Sequence, residues 1–139
     1  SREVQMTRLV SLSSCGALLA VTIGVAAASA ALADAASETV TAATHAELAA
    51  GASDLAGVHT HLHHTLNCLV GQGGNGFDAK QMNPCAESGK GAIPDSSDSA
   101  KKASLEKAAA KARDGIAASD MKAARADASA TASMLKAAK

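Results

Sequence analysis

The sequence predicts an all-α protein, a small antiparallel four-helix bundle in which a long disulfide-tied loop joins two helical hairpins. Alanine-rich segments on either side of residues 71–98 carry their few large aliphatic side chains at spacings of three and four, the period of a helix. Between these segments, glycine, proline and asparagine replace the helical pattern. Two cysteines, Cys68 and Cys85, lie just before and inside this loop.

An export signal is predicted before the helical domain. Residues 1–5 are interpreted as upstream or vector sequence, and residues 6–33 as a signal peptide. Arg8 supplies the positive end, an uncharged apolar run follows, and small residues that fit the A-x-A pattern favour cleavage after Ala33. The run is also long enough for an uncleaved membrane anchor. Cleavage predicts a periplasmic or secreted protein with one domain, residues 34–139, and no stable membrane insertion.

Four helices are predicted in this domain, at about residues 35–50, 54–70, 99–118 and 120–138. Asp54 and Asp120 offer side-chain oxygens that cap the second and fourth helices. Gly51 separates the first two helices, although one long helix running through Gly51 is the alternative. The second and third helices are joined by the loop of residues 71–98.

Composition and charge limit the core and the partners. Phe77 is the only aromatic residue, so close helix approach rather than large buried side chains must stabilise the domain. Residues 34–98 carry a net charge of −6 and residues 99–139 a net charge of +5, which predicts that the two halves attract each other. The lysines have no aromatic neighbours for base stacking, which argues against a nucleic-acid partner. The alanine-rich faces are compatible with a homodimer, and no protein partner is indicated.

The cysteine count agrees with export. Loss of Cys15 with the signal peptide leaves Cys68 and Cys85 in an oxidising compartment, where pairing is the default. The sequence therefore predicts a Cys68–Cys85 disulfide that ties down the loop.

All five histidines of the chain fall within twenty residues, at positions His45, His59, His61, His63 and His64. At about 100° per residue, His59 and His63 lie one above the other near the leucine face of the second helix, whereas His61 and His64 fall on the opposite side. A hairpin that turns near Gly51 brings His45 level with His59. We therefore take His45, His59 and His63 as the first-choice metal ligands, with His61 and His64 as a second cluster.

Clustered imidazoles suit Cu(II), Zn(II) and Ni(II). The leading hypothesis is a periplasmic binding protein for a divalent transition metal; non-covalent haem binding is less favoured, and no Cys-x-x-Cys-His motif is present for covalent haem. The alternative is a non-enzymatic structural or interaction module, in which the disulfide-locked loop 71–98 is the recognition surface and the histidines tune its pH response. No serine-nucleophile, phosphate-loop or paired-carboxylate motif is present, so no enzyme is expected.

The pattern HxHLHHxxNC at residues 59–68, followed by NPC at residues 83–85, resembles a group of small exported α-helical proteins of proteobacteria whose activity is uncharacterised. The resemblance implies export and a helical architecture, without implying an activity. A looser likeness is to the periplasmic histidine-rich small metal-binding protein of ammonia oxidisers, a four-helix bundle. Histidines here are confined to one hairpin rather than spread over all helices, so one or two metal sites are expected instead of high-capacity storage.

Overall fold

The computed structural model describes residues 34–139, and the predicted signal peptide with its cleavage site lies outside the described residues. This part of the chain is helical and has no strand, which confirms the predicted all-α class. The helices are α1 (Ala35–Gly51), α2 (Leu55–Val70), α3 (Ala92–Asp95), α4 (Ser99–Ala117) and α5 (Met121–Ala137). The four long helices begin and end within one residue of the predicted positions. Among these helices, none has both the length and the apolar character needed to cross a bilayer.

An aspartate caps the start of each long helix. The four N-cap residues, whose carboxylates accept backbone N–H groups of the first turn, are Asp34, Asp54, Asp98 and Asp120. Ala52, the C-cap of α1, has an extended backbone with φ −63° and ψ 146°. The helix is therefore interrupted between α1 and α2, and the alternative of one continuous helix is wrong.

The interior consists of alanine methyl groups packed around a few larger aliphatic side chains. α1 packs on α2 and α5, and α4 packs on the same two helices. The largest fully buried aliphatic residues are Val58, Leu62, Leu69, Leu105 and Leu135. Because the facing positions are mostly alanine, the helices can approach closely, and this approach sets where the histidines of α1 and α2 meet.

Gly115 of α4 shows how close that approach is. A β-carbon at Gly115 would lie 2.6 Å from Leu62 Cδ1 and 3.2 Å from Asp127 Cβ. We expect Gly115→Ala to lower the free energy of unfolding by about 1–2 kcal/mol, because the buried leucine has to move. Gly51→Ala is the matched control: no atom lies within 4 Å of its added methyl group, and a gain of about 0.4–1 kcal/mol is expected. Urea denaturation measures both, and equal stabilities for the two variants would contradict this packing.

The segment between α2 and α4 is tied to the helices at several points. The predicted Cys68–Cys85 disulfide is confirmed and joins α2 to the loop. The loop then returns to the end of α2 at Gly71, where φ is +68° and an added β-carbon would overlap the Lys90 carbonyl. The predicted loop of residues 71–98 also contains α3, a single helical turn that is too short to produce a periodic sequence signal.

Candidate metal centre

Three of the five histidines converge between α1 and α2: His45 from α1, and His61 and His64 from α2. One ring nitrogen of each lies within 4.8 Å of those of the other two. The Nδ1 atoms of His45 and His61 are 3.5 Å apart. Tetrahedral coordination with metal–nitrogen bonds of about 2.0–2.1 Å separates two ligand nitrogens by about 3.3 Å. Small side-chain adjustments would therefore complete a three-nitrogen site.

The three rings surround a common point instead of stacking on one another. Their centroids are 5.7 Å apart for His45 and His61, 5.2 Å for His45 and His64, and 5.6 Å for His61 and His64. His64 meets the other two rings edge-on, at 84° and 90°, whereas His45 and His61 are tilted by 35°. This nearly equilateral arrangement is what a single ion at the centre requires.

The register of α1 against α2 positions these side chains. His61 and His64 are three residues apart, so they project from the same face of α2. Beside them, the fully buried Thr65 hydroxyl lies 3.2 Å from the Ala42 carbonyl of α1 and 3.0 Å from the His61 carbonyl, and donates to this pair. Ala42 precedes His45 by about one turn, so this hydrogen bond holds the two helices together next to the histidines.

The site is partly buried, which favours the neutral form of two of its rings, His45 and His64. His64 is only 7% exposed, and His45 and His61 are half-buried. Burial lowers the pKa of His45 and of His64, and the neighbouring imidazoles lower both further. Neutral imidazole is the form that binds a metal. These two rings are therefore held in the ligand form at neutral pH.

The donor set is all nitrogen. Within residues 34–139, no carboxylate or thiol joins the three histidines as a fourth member of the group. Nδ1 of His64 is buried and has no hydrogen-bond partner among these residues. Nδ1 of His63, outside the group, is also buried and unpaired among these residues. An unpaired buried polar atom costs about 1–3 kcal/mol, and a metal bound at Nδ1 of His64 would remove that cost. Three neutral imidazoles suit Zn(II), Cu(II) and Ni(II).

The other two predicted ligands, His59 and His63, are not brought to this group. His59 Nε2 lies 3.0 Å from the carbonyl oxygen of Ala118, the C-cap residue of α4, and donates to it. His63 faces the loop, with its Nδ1 atom 3.6 Å from Asp78 Oδ2. The group thus contains one of the three first-choice ligands and both members of the second cluster.

The different grouping follows from the side of α2 that faces α1. A site made of His45, His59 and His63 requires α1 to lie against the side of α2 that carries His59 and His63. In the structure, α2 packs between α1 and α4: Leu62 lies against Gly115 of α4, while Thr65 meets α1. α1 therefore covers the side that carries His61 and His64. Cys68 lies on that side too, but its bridge to Cys85 brings the loop there and does not identify the helix that covers this face.

Comparisons of the chain with protein-family models, with curated proteins and with solved structures find no match in any of the three.

A groove between α4 and α5 contains none of the histidines; it is lined by Ser104, Lys107, Met134, Ala137 and Ala138. The three-histidine group is the feature of the described residues on which a function can be argued.

Proposed function

We propose that the protein binds one divalent transition-metal ion through His45, His61 and His64. The observation that supports this function is the convergence of three ring nitrogens, from two helices, within 4.8 Å of one another. Imidazole donors without carboxylates suit Zn(II), Cu(II) and Ni(II) and not Mg²⁺ or Ca²⁺, which take oxygen ligands. The buried, unpaired Nδ1 of His64 also supports it.

The metal is bound, in this proposal, in the periplasm or after secretion. The Cys68–Cys85 bridge supports an oxidising compartment, because disulfides persist there and are rare in the cytosol. The signal-peptide pattern of residues 6–33 points the same way. Cu(II) and Zn(II) are the oxidation states that suit imidazole ligands in such a compartment.

The scaffold of the site is, in the same proposal, an antiparallel four-helix bundle made of two hairpins. Short connections, residues 52–54 and residues 118–120, join α1 to α2 and α4 to α5. The hairpins meet through α1 with α5 and through α2 with α4. Both proposed ligand-bearing helices then belong to one hairpin, and α4 and α5 supply none of the three histidines.

Titration of the purified protein with Zn(II), Cu(II) and Ni(II) by calorimetry tests the proposal. We expect at least one ion to bind with a Kd of about 1 μM or below, equivalent to about −8 kcal/mol, and to raise the melting temperature. His45→Ala, His61→Ala and His64→Ala should each weaken binding by at least about tenfold, because each removes one of three donors.

His59→Ala and His63→Ala are the matched controls. Each removes an imidazole from α2 without touching the three-nitrogen group, so both should retain the wild-type Kd. Equal losses in the controls and the ligand variants would refute the site. Binding weaker than about 100 μM for all three ions, less than about 5.5 kcal/mol, would reduce the group to a packed histidine cluster.

A further inference from the structure

Three histidines leave the coordination shell of the ion incomplete. Zn(II), Cu(II) and Ni(II) take four or more ligands, and the group supplies three histidine nitrogens, with no carboxylate or thiol of residues 34–139 beside them. Other donors nearby in the sequence are engaged elsewhere. Cys68, one turn after His64 on α2, is bonded to Cys85 in the disulfide. Glu47, two residues after His45, forms an ion pair with Lys136 of α5.

Two of the three rings keep part of their surface in contact with solvent. His64, 7% exposed, forms the buried side, whereas His45 and His61 are half-buried and reach the surface. An ion held by all three nitrogens would lie between one buried ring and two rings that contact solvent. Closed structural sites differ, because there four protein ligands surround the metal.

The charge of such a site is also uncompensated. Three neutral imidazoles contribute no negative charge, so a divalent ion keeps a local charge of +2. In a partly buried position this charge is less screened than in water. A water bound to such an ion would lose a proton more easily than free water, as it does at zinc sites. A small anion from solution would be attracted for the same reason.

We propose that the metal-loaded site takes a small monodentate anion, or hydroxide, as a further ligand on its solvent side. This inference rests on the proposed function, since it requires a metal bound by His45, His61 and His64. It assigns a second ligand class to the protein: small anions with one donor atom, recognised by the metal itself. The ion then remains accessible to ligand exchange instead of being enclosed.

Azide added to the Cu(II)-loaded protein tests this inference. The chain has no tryptophan or tyrosine, so a ligand-to-metal charge-transfer band can be followed without interference from these side chains. We expect a new band that saturates at one azide per copper, with a matching change in the electron paramagnetic resonance spectrum. Ultrafiltration should find the copper still bound to the protein after azide addition. His63→Ala, the matched control, should show the same response.

The two proposals fail in different ways. Copper bound at one equivalent by His45, His61 and His64, with a spectrum that azide leaves unchanged, would overturn the anion site and leave the metal site standing. Release of copper into the filtrate on azide addition would overturn it as well, since azide would then compete with the histidines. Failure of copper, zinc and nickel to bind in calorimetry would overturn both.

Discussion

Asn67→Ala is expected to lower the free energy of unfolding by about 3–4 kcal/mol and to release the loop that follows α2. Asn67 is fully buried, and its two amide N–H groups are shared among the carbonyls of Asp78, Gln81 and Met82, at 3.0, 3.3 and 3.0 Å from Nδ2. Its carbonyl oxygen accepts the Asp78 N–H at 2.9 Å. Each such bond contributes about 1 kcal/mol net. Alanine removes all of them and leaves a cavity where the amide was buried.

Urea denaturation of the oxidised protein measures this effect. Asn75→Ala, which truncates an exposed asparagine of the same loop, is the matched control and should change stability by less than about 0.5 kcal/mol. Hydrogen exchange at the Asp78 amide should accelerate in the Asn67 variant alone, because that amide loses its acceptor. An unchanged exchange rate together with wild-type stability would show that the disulfide alone holds the loop.

The helices and the disulfide could be predicted because their signals are local. Asp54 and Asp120 each precede a run with helical spacing and cap it within three residues. The Cys68–Cys85 bridge followed from the cysteine count and the predicted compartment. These features depend on the composition and spacing of short segments, which the chain carries without reference to its tertiary contacts.

The site and the loop contacts could not be predicted in this way, because they depend on which helix covers which face. No local sequence pattern shows that α4 packs against the side of α2 that carries Leu62. This packing leaves the side with His61 and His64 to α1. Asn67 is one polar residue among several, and its partners lie eleven to fifteen residues ahead in an irregular loop. Glu38, in the first turn of α1, has the sequence position of a solvent-exposed residue but is fully buried.

Glu38→Gln is expected to leave stability nearly unchanged at pH 4.5 and to increase it above pH 7. Glu38 Oε1 accepts the Gly91 N–H at 2.9 Å, while Oε2 is buried and has no hydrogen-bond partner within residues 34–139. Burial raises the pKa of Glu38 to about 7; the Gly91 N–H opposes this rise, and the carboxylates of Asp95 and Asp34 add to it. The proton on Glu38 therefore helps to hold the returning loop on α1.

The sign of the pH dependence follows from these values. The pKa of Glu38 is about 7 in the folded protein and about 4.5 in the unfolded chain, so the folded protein binds more protons between these two pH values. The stabilisation is fully present below pH 4.5 and is lost as the pH rises through about 7. The pKa difference corresponds to on the order of 3 kcal/mol. Glutamine keeps the acceptor for Gly91, offers an N–H to Asp95 and never ionises.

Urea denaturation of both proteins between pH 4.5 and 8.5 measures the difference in unfolding free energy. Glu47→Gln is the matched control, since Glu47 lies on the exposed side of the same helix in an ion pair with Lys136. The lowered pKa values of His45 and His64 act in the opposite direction, because their contribution is lost as the pH falls. They are common to every variant and cancel in the difference. A difference that stays constant from pH 5 to pH 8 would show that the Glu38 carboxyl does not change its protonation in the folded protein over this range.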